Sequence, residues 1–368
     1  MMIRLLYVNP DPDRSERSIL KKLSSRGVVI RALVSPESII NNENEYYGVD
    51  IHPISFHGRI SITGINTIKH HLNEFNPNIS YFLTNQALTN GLIASRGFKT
   101  KIVAYRGIGA NFSIFNPFAW MRYLNPRVDK IICVCKSIEA SLKKIIFFKI
   151  PKNQLKLVTI YKGHDVAWYE EQVKKGPTPS KDLNTMRLIC VANWRPRKGL
   201  EVLLDAMNKL RPDLLIELIV IGKGVNKKKF QNLASRSSYK NAIRLLGFRK
   251  DAINWMGTAD VSILPSIKRE GLPRCVIEAM SLGLPQIVSN IGGSPELVTS
   301  QMHGFVIEPG DAKGIANAIE RFYDHRKEMQ SMGKAAKERI REDFHIDESV
   351  KELYGLYISL LKNQNKST

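Results

Sequence analysis

Two glutamates, Glu270 and Glu278, stand eight positions apart in "KREGLPRCVIEAMSLGLP", with a glycine directly after the first. A carboxylate is a pure acceptor and takes two hydroxyl donors at once, as vicinal sugar hydroxyls offer. Eight is not a contact spacing within one helix, and no histidine or third carboxylate close by completes a metal set. Pro273 suits the first position of a helix, so Glu270 lies in the loop before it and Glu278 more than one turn inside. The pair therefore reads as two acceptors aimed at a ligand. Two unrelated surface acids, with Glu270 as a helix N-terminal charge, are the alternative.

Three further loops carry matching chemistry. In "NWRPRKGLEVLLDA", Arg195, Arg197 and Lys198 precede a helix that starts near Gly199. Cations beside the free N–H groups of a helix start make a phosphate or diphosphate site, or else a solvated basic loop. "IVIGKGVNKKKF" supplies Gly222 and Gly224, which let backbone approach a ligand or simply form a turn. "SNIGGSPELV" leads through Ser294 and Pro295 into another helix, with Ser294 as its expected cap.

The elements that must position these loops follow from the apolar patterning. "IRLLYV", "VVIRALVS", "ISYFLT", "KIVAYRG" and "KIICVC" read as strands, and "RSILKKLSSRG" and "INTIKHHLNEFNP" read as helices between them. A second series begins with "RLICVAN" and "GLEVLLDAMNKL" and continues through "LIELIVIGKG", "AIRLLGF", "ADVSILP", "PRCVIEAMSLG", "PQIVSN" and "GFVIEPG". Strands apolar on both faces, alternating with helices, predict parallel sheets covered on both sides. The fold class is α/β, two doubly wound Rossmann-like domains in tandem. The expected boundaries are 1–168 for the first domain, 169–185 for a polar linker around "EEQVKKGPTPSKDLNT" and 186–349 for the second domain. A C-terminal helix over 350–368 is expected to pack back toward the first. Ligands of such sheets sit beyond the carboxyl ends of the strands, where all four loops lie.

Composition narrows the setting. The 368 residues carry a formal net charge of +21 with 43% hydrophobic residues, as in a soluble globular protein. No run of eighteen apolar residues occurs, and the N-terminus reads as a buried strand of a cytoplasmic protein rather than a signal peptide. Cys133, Cys135, Cys190 and Cys275 have neither zinc spacing nor a histidine partner and read as buried reduced thiols. From Gly91 to Lys162 fourteen Lys and Arg face two acids, a net +12 that attracts phosphate on lipid, nucleic acid or substrate.

Glu270-Gly271 followed by Glu278-Ala279, with "ADVSILPS" before and "GLPQIVSNIGGSPELV" and "GFVIEPGD" after, resembles the donor domain of family 4 glycosyltransferases of GT-B fold with its E-x7-E motif. The likeness reaches back through "RLLGFRKD" and "VANWRPRKGLEVLLDA" to cover residues 186–325. It extends more loosely to "VDKIICVCKSIEASL" and "IPKNQLKLVTIYKGHD". The resemblance implies an interdomain cleft holding a nucleotide-diphosphate sugar, with UDP the default base, and transfer with retained anomeric configuration. It implies that Glu278 accepts the ribose hydroxyls, Glu270 contacts the donor sugar and Lys198 neutralises the diphosphate. Backbone at Gly271, Leu272 and Arg274 lines sugar and phosphate, and backbone at Phe248 and Arg249 meets the base.

The chain departs from that pattern in three places. Ala192-Asn193 stands where a Gly-Arg pair is usual, leaving Arg195 or Arg197 to replace the arginine. "NPDPDRSERS" replaces a glycine pair after the first strand. Arg106, beside Gly107 and Gly109, takes the place of a histidine and is the first domain's candidate for a donor-sugar or diphosphate contact. No cofactor or metal is expected. Lysines beside Trp120, Phe147 and Phe148 suit an anionic membrane surface on the cytoplasmic face of an inner membrane. That placement implies a glycan or lipid-linked acceptor in surface-polysaccharide or lipopolysaccharide assembly. A GT-B epimerase or hydrolase and a basic nucleic-acid-binding protein are the rival classes; the two glutamates at a phosphate-binding edge favour no nucleic acid.

Overall fold

The computed structural model describes residues 2–108, 121–146 and 156–364. The chain forms two compact units, Met1–Gly163 with Ile346–Thr368, and His164–His345. In the first unit β1 (Arg4–Val8), β2 (Val29–Val34), β3 (Asp50–Pro53), β4 (Ile79–Phe82), β5 (Lys101–Arg106), β6 (Val128–Cys133) and β7 (Leu157–Thr159) make one sheet. Its order is β3-β2-β1-β4-β5-β6-β7, every neighbour parallel. Helices α1 (Arg14–Ser25), α2 (Pro36–Asn42), α3 (Ile62–Phe75), α4 (Asn85–Ala94) and α5 (Lys136–Ile146) connect the strands. The order reverses between β1 and β4, the doubly wound arrangement whose reversal point opens a crevice at the carboxyl edge.

The second unit starts with α6 (Val166–Lys175). There follow β8 (Met186–Val191), α7 (Leu200–Asn208), β9 (Ile216–Ile221), α8 (Lys228–Ala234), β10 (Ile243–Gly247), α9 (Ala252–Met256) and β11 (Val261–Leu264). The unit closes with α10 (Arg274–Ser281), β12 (Gln286–Ser289), α11 (Ser294–Leu297), β13 (Gly304–Ile307), α12 (Ala312–Asp324) and α13 (Arg326–Asp343). Its parallel sheet runs β10-β9-β8-β11-β12-β13 and reverses between β8 and β11. Five of the six residues of β8 are buried, as expected of a parallel strand covered on both faces, and one of the five is Arg187, paired with Glu217 at 2.8 Å.

Helix α14 (Ile346–Gln364) returns to the first unit. Ile346, Val350, Leu353, Tyr357, Leu360 and Leu361 are buried in one cluster with Ile19, Leu20 and Leu23 of α1. Each such side chain contributes roughly 1.5–3 kcal/mol of gross transfer free energy. The helix therefore begins four residues before the 350 boundary expected from sequence, because Ile346 already joins that core.

The expected linker over 169–185 is corrected by the structure. Most of its first half is α6, capped by Asp165, whose side chain accepts from the N–H groups of Ala167 and Trp168. Only Val166 and Tyr169 of this helix are buried, so its sequence is polar enough to imitate a linker. Two helix starts also move. Pro273 is the cap before α10 rather than its first residue, and Gly293 rather than Ser294 caps α11.

Candidate functional site

At the reversal point of the second sheet, the loops after β8 and β11 are joined backbone to backbone. The Ile267 N–H donates to the Arg197 carbonyl at 2.9 Å. Gly199 holds the left-handed region at φ +65°, and a Cβ there would overlap the Pro265 carbonyl oxygen. Only glycine combines that conformation with so close an approach. Arg197 then reaches across the junction, its Nη1 donating to the Arg269 carbonyl at 2.8 Å. Arg269 is itself left-handed at φ 63°, unusual for a non-glycine, and Arg197 holds the turn that carries Glu270.

Glu270 is buried, at 6% exposure. Its Oε1 receives Lys198 Nζ at 2.7 Å and Ser266 Oγ at 2.7 Å, with Arg197 Nη1 3.7 Å away. All three converge on one oxygen, which leaves Oε2 facing none of them. Behind it the β12–α11 loop closes in: the Gly293 N–H donates to the Gly271 carbonyl at 2.8 Å. A Cβ at Gly292, whose φ is +60°, would overlap the Glu270 carbonyl oxygen. Glu278 sits one turn into α10 and pairs with Arg274 Nε at 3.1 Å. Each acid thus faces a cation of the chain as well as being open to a ligand reading. Both charges, with Lys198 and Arg274, act on the Cys275 thiol between them, and burial first of all pushes that thiol up to about 11. The two glutamates and the lysine therefore share one small region.

The other expected residues distribute around this cluster. The N–H groups of Gly271 and Leu272, just before α10, have no protein acceptor among the described residues and remain available to an anion. Gly222 is required by space, since a Cβ would overlap the Ala192 carbonyl oxygen. Phe248, 61% exposed, lies beneath Lys223 Nζ at 5.4 Å. Arg249 is held by Asp251 through two bonds of 2.7 and 2.6 Å. Of the two replacement arginines, Arg197 belongs to the cluster and Arg195 is exposed at the start of the turn.

Asn193 has a different task from an anion contact. Its Oδ1 accepts from the Lys223 N–H at 2.8 Å and ties the β8 loop to the β9 loop. Ser266 was not legible as a site residue; it stands four positions before Glu270 in an irregular loop, where no periodicity marks it.

Arg106 lies in the first unit as the last residue of β5 and is buried at 7% exposure. Gly109 beside it lies outside the described residues, as do Trp120, Phe147 and Phe148. "NPDPDRSERS" forms a closed polar cluster: Asp13 and Glu16 make a capping box on α1 and together hold Lys162 Nζ at 2.9 and 2.7 Å. The one group of described His, Cys and acid side chains close enough to share an ion is His70, His71 and Glu74. The Arg31 guanidinium already supplies the cation there, 2.8 Å from Glu74 and 3.4 Å from His71 Nδ1. All four cysteines are free, and burial pushes Cys133 up to about 12.

Residues 171–339 match the family of glycosyl transferases group 1. The match takes in both glutamates, Lys198 and every loop of the cluster. A UDP-Gal:alpha-D-GlcNAc-diphosphoundecaprenol alpha-1,3-galactosyltransferase of Escherichia coli is 31% identical over 60% of this chain and 59% of its own length. The putative colanic acid biosynthesis glycosyltransferase WcaL of E. coli K12 is 26% identical over 54% and 50%. The matched segments thus span between half and three fifths of these two relatives.

Solved structures share the whole fold. A glycosyltransferase from Rickettsia africae superimposes with a TM-score of 0.83, 19% identity and 98% and 99% coverage of the two chains. Anabaena Alr3699/HepE in complex with UDP gives 0.78, 20% identity, and 98% and 100%. The group 1 match and these neighbours agree with two Rossmann-like units of the GT-B class.

Proposed function

We propose that this chain is a retaining glycosyltransferase that moves a sugar from a UDP-sugar to a lipid-linked or glycan acceptor in cell-surface polysaccharide or lipopolysaccharide assembly. The observation that carries the proposal is Glu270 held on Lys198 beside Glu278, at the reversal point of a parallel sheet. The relatives' names support the substrate class: one acts on a diphosphoundecaprenol-linked sugar with UDP-Gal, and another serves colanic acid biosynthesis.

In this reading Glu278 accepts the ribose hydroxyls and Glu270 Oε2 takes a hydroxyl of the sugar. Arg274, now on Glu278, swings toward the phosphates or solvent when ribose binds. Lys198, Arg197 and the N–H groups of Gly271 and Leu272 face the diphosphate. The bond between the anomeric carbon and the diphosphate oxygen breaks, and the acceptor hydroxyl oxygen bonds to that carbon from the same face. Its proton passes to the departing phosphate oxygen. Charge building on the leaving diphosphate meets cations and dipoles already in place, the term that commonly dominates such catalysis. These cations belong to the chain, and the reading assigns no step to a metal or cofactor.

The acceptor is placed with the basic first unit, and the protein on the cytoplasmic face of a membrane. No helix among the described residues is long and apolar enough to cross one. A thermal-shift panel of UDP-, GDP- and ADP-sugars tests the reading, with stabilisation by a UDP-sugar expected. Sugar released to water with no acceptor need would favour a hydrolase, and a nucleic acid that outcompetes every nucleotide sugar would overturn the proposal.

A further inference from the structure

One edge of the second sheet carries a charge pattern that the glutamate cluster does not use. From Leu218 to Lys250 the sequence holds nine Lys and Arg and no acid, whereas Asp251 to His345 holds thirteen acids and eleven Lys and Arg. The acid-free stretch is one continuous piece of the fold: β9 from its third residue, α8, and β10, the strand at the end of the sheet. The loops that leave its two strands are joined, since the Gly222 N–H donates to the Gly247 carbonyl at 2.8 Å and Lys223 Nζ stands over Phe248. The cations therefore run along one border of the unit, from these loops at the carboxyl end of β9 and β10 to the turn that precedes β10.

Most of these charges meet no carboxylate. Arg244 is held by Glu217 at 2.9 Å and Arg249 by Asp251 at 2.6 Å. Lys227, Lys228, Lys229, Arg236, Lys240 and Lys250 are all exposed, and none of them pairs with an acid among the described residues. On α8 the buried residues are Phe230 and Ala234, so the helix turns Lys228, Lys229, Gln231 and Asn232 to solvent. Like charges gathered on one border repel one another, and an anionic surface relieves that repulsion. Five of the six are lysines, compact point charges that suit the diffuse negative charge of lipid headgroups and ask for no bidentate geometry. A single-stranded nucleic acid would call for aromatics among the cations; here Phe248 is exposed, whereas Phe230 is buried and Tyr239 half-buried.

We propose that the border made by the β9–α8 loop, α8 and the turn before β10 is a contact surface for an anionic phospholipid bilayer, with Lys227, Lys228, Lys229, Arg236 and Lys240 on the headgroups. This rests on the reading of the chain as a glycosyltransferase with a lipid-linked acceptor, and it places a membrane contact on the unit that holds the glutamate cluster.

The test is sedimentation of the full chain with vesicles of phosphatidylcholine alone and of phosphatidylcholine with increasing phosphatidylglycerol, at low and at raised salt. Wild type is expected to bind in proportion to the phosphatidylglycerol content and to be released by salt. The triple variant Lys227→Glu, Lys228→Glu, Lys229→Glu should bind about a hundredfold more weakly or worse, and Arg236→Glu with Lys240→Glu about tenfold or more, the scale set by the contribution of each cation near such a surface. A control makes the same change of net charge elsewhere on the unit, with Lys313→Glu, Lys327→Glu and Lys334→Glu on α12 and α13, and should bind nearly as wild type does. All the substituted residues are exposed, and an unchanged thermal shift with a UDP-sugar verifies the fold of each variant. Wild-type binding by the two border variants, an equal loss in the control, equal binding to plain phosphatidylcholine, or tighter binding of single-stranded DNA than of the anionic vesicles at the same salt would overturn the surface. Loss of vesicle binding in wild type with the donor shift intact removes only this surface, whereas vesicle binding with no shift by any nucleotide sugar removes the glycosyltransferase reading.

Discussion

Lys198 Nζ lies 2.7 Å from Glu270 Oε1, joining residues 72 positions apart in a pair whose side chains are 15% and 5% exposed. Removing one member of such a pair leaves the other charge buried alone, which costs about 3–5 kcal/mol. Lys198→Met should therefore lower stability by roughly 3 kcal/mol and slow sugar transfer by about a hundredfold or more. Adding Glu270→Gln should restore most of the stability and none of the activity. Urea unfolding of both single variants and the double variant checks this; additive losses would show that the pair is not coupled.

Gly292→Ala tests the closure of the β12–α11 loop on Glu270. The φ of +60° and the overlap of a Cβ with the Glu270 carbonyl oxygen act together, for an expected loss of about 1–3 kcal/mol. Because the displaced backbone carries Glu270, the affinity for a UDP-sugar should fall while affinity for UDP changes less. Equal losses for both ligands would mean that the loop serves the whole site and not the sugar contact.

The first unit carries a pH response of its own. Burial, then the charges of His52, Arg31 and His70, lowers His71 from 6.5 to about 4, against the opposing Glu74. Asp50 faces the same group through Arg31 and His52. As pH falls below 6.5 the unfolded chain takes up a proton that the folded imidazole resists until about 4, so protons favour unfolding. Stability should fall across that window, and His71→Asn should make the fall shallower. An identical slope in the variant, measured by urea midpoints at several pH values, would assign the response elsewhere.

The two doubly wound units and the four ligand-edge loops were legible because apolar runs followed by Gly, Arg, Lys or Glu mark strands and the loops leaving them. Long-range pairing was not. Nothing at Lys198 indicates a carboxylate 72 residues onward, and Ser266 and Asn193 act from irregular loops where periodicity carries no information. Residues 169–175 looked like linker because α6 buries too little to show a stripe; the informative residue was Asp165, an N-cap about one turn before the polar run. The i,i+4 contact of Glu278 with Arg274 was overshadowed by the wider spacing to Glu270.

The central claim is that Glu278 holds the nucleotide and Glu270 the sugar. Isothermal titration of UDP and of UDP-galactose into wild type, Glu278→Ala and Glu270→Ala tests it most directly. The account predicts that Glu278→Ala weakens both ligands alike by about tenfold or more, whereas Glu270→Ala removes the added affinity of UDP-galactose and leaves UDP nearly unchanged. If Glu278→Ala binds UDP as wild type does, or Glu270→Ala keeps the full preference for UDP-galactose, the assignment is contradicted.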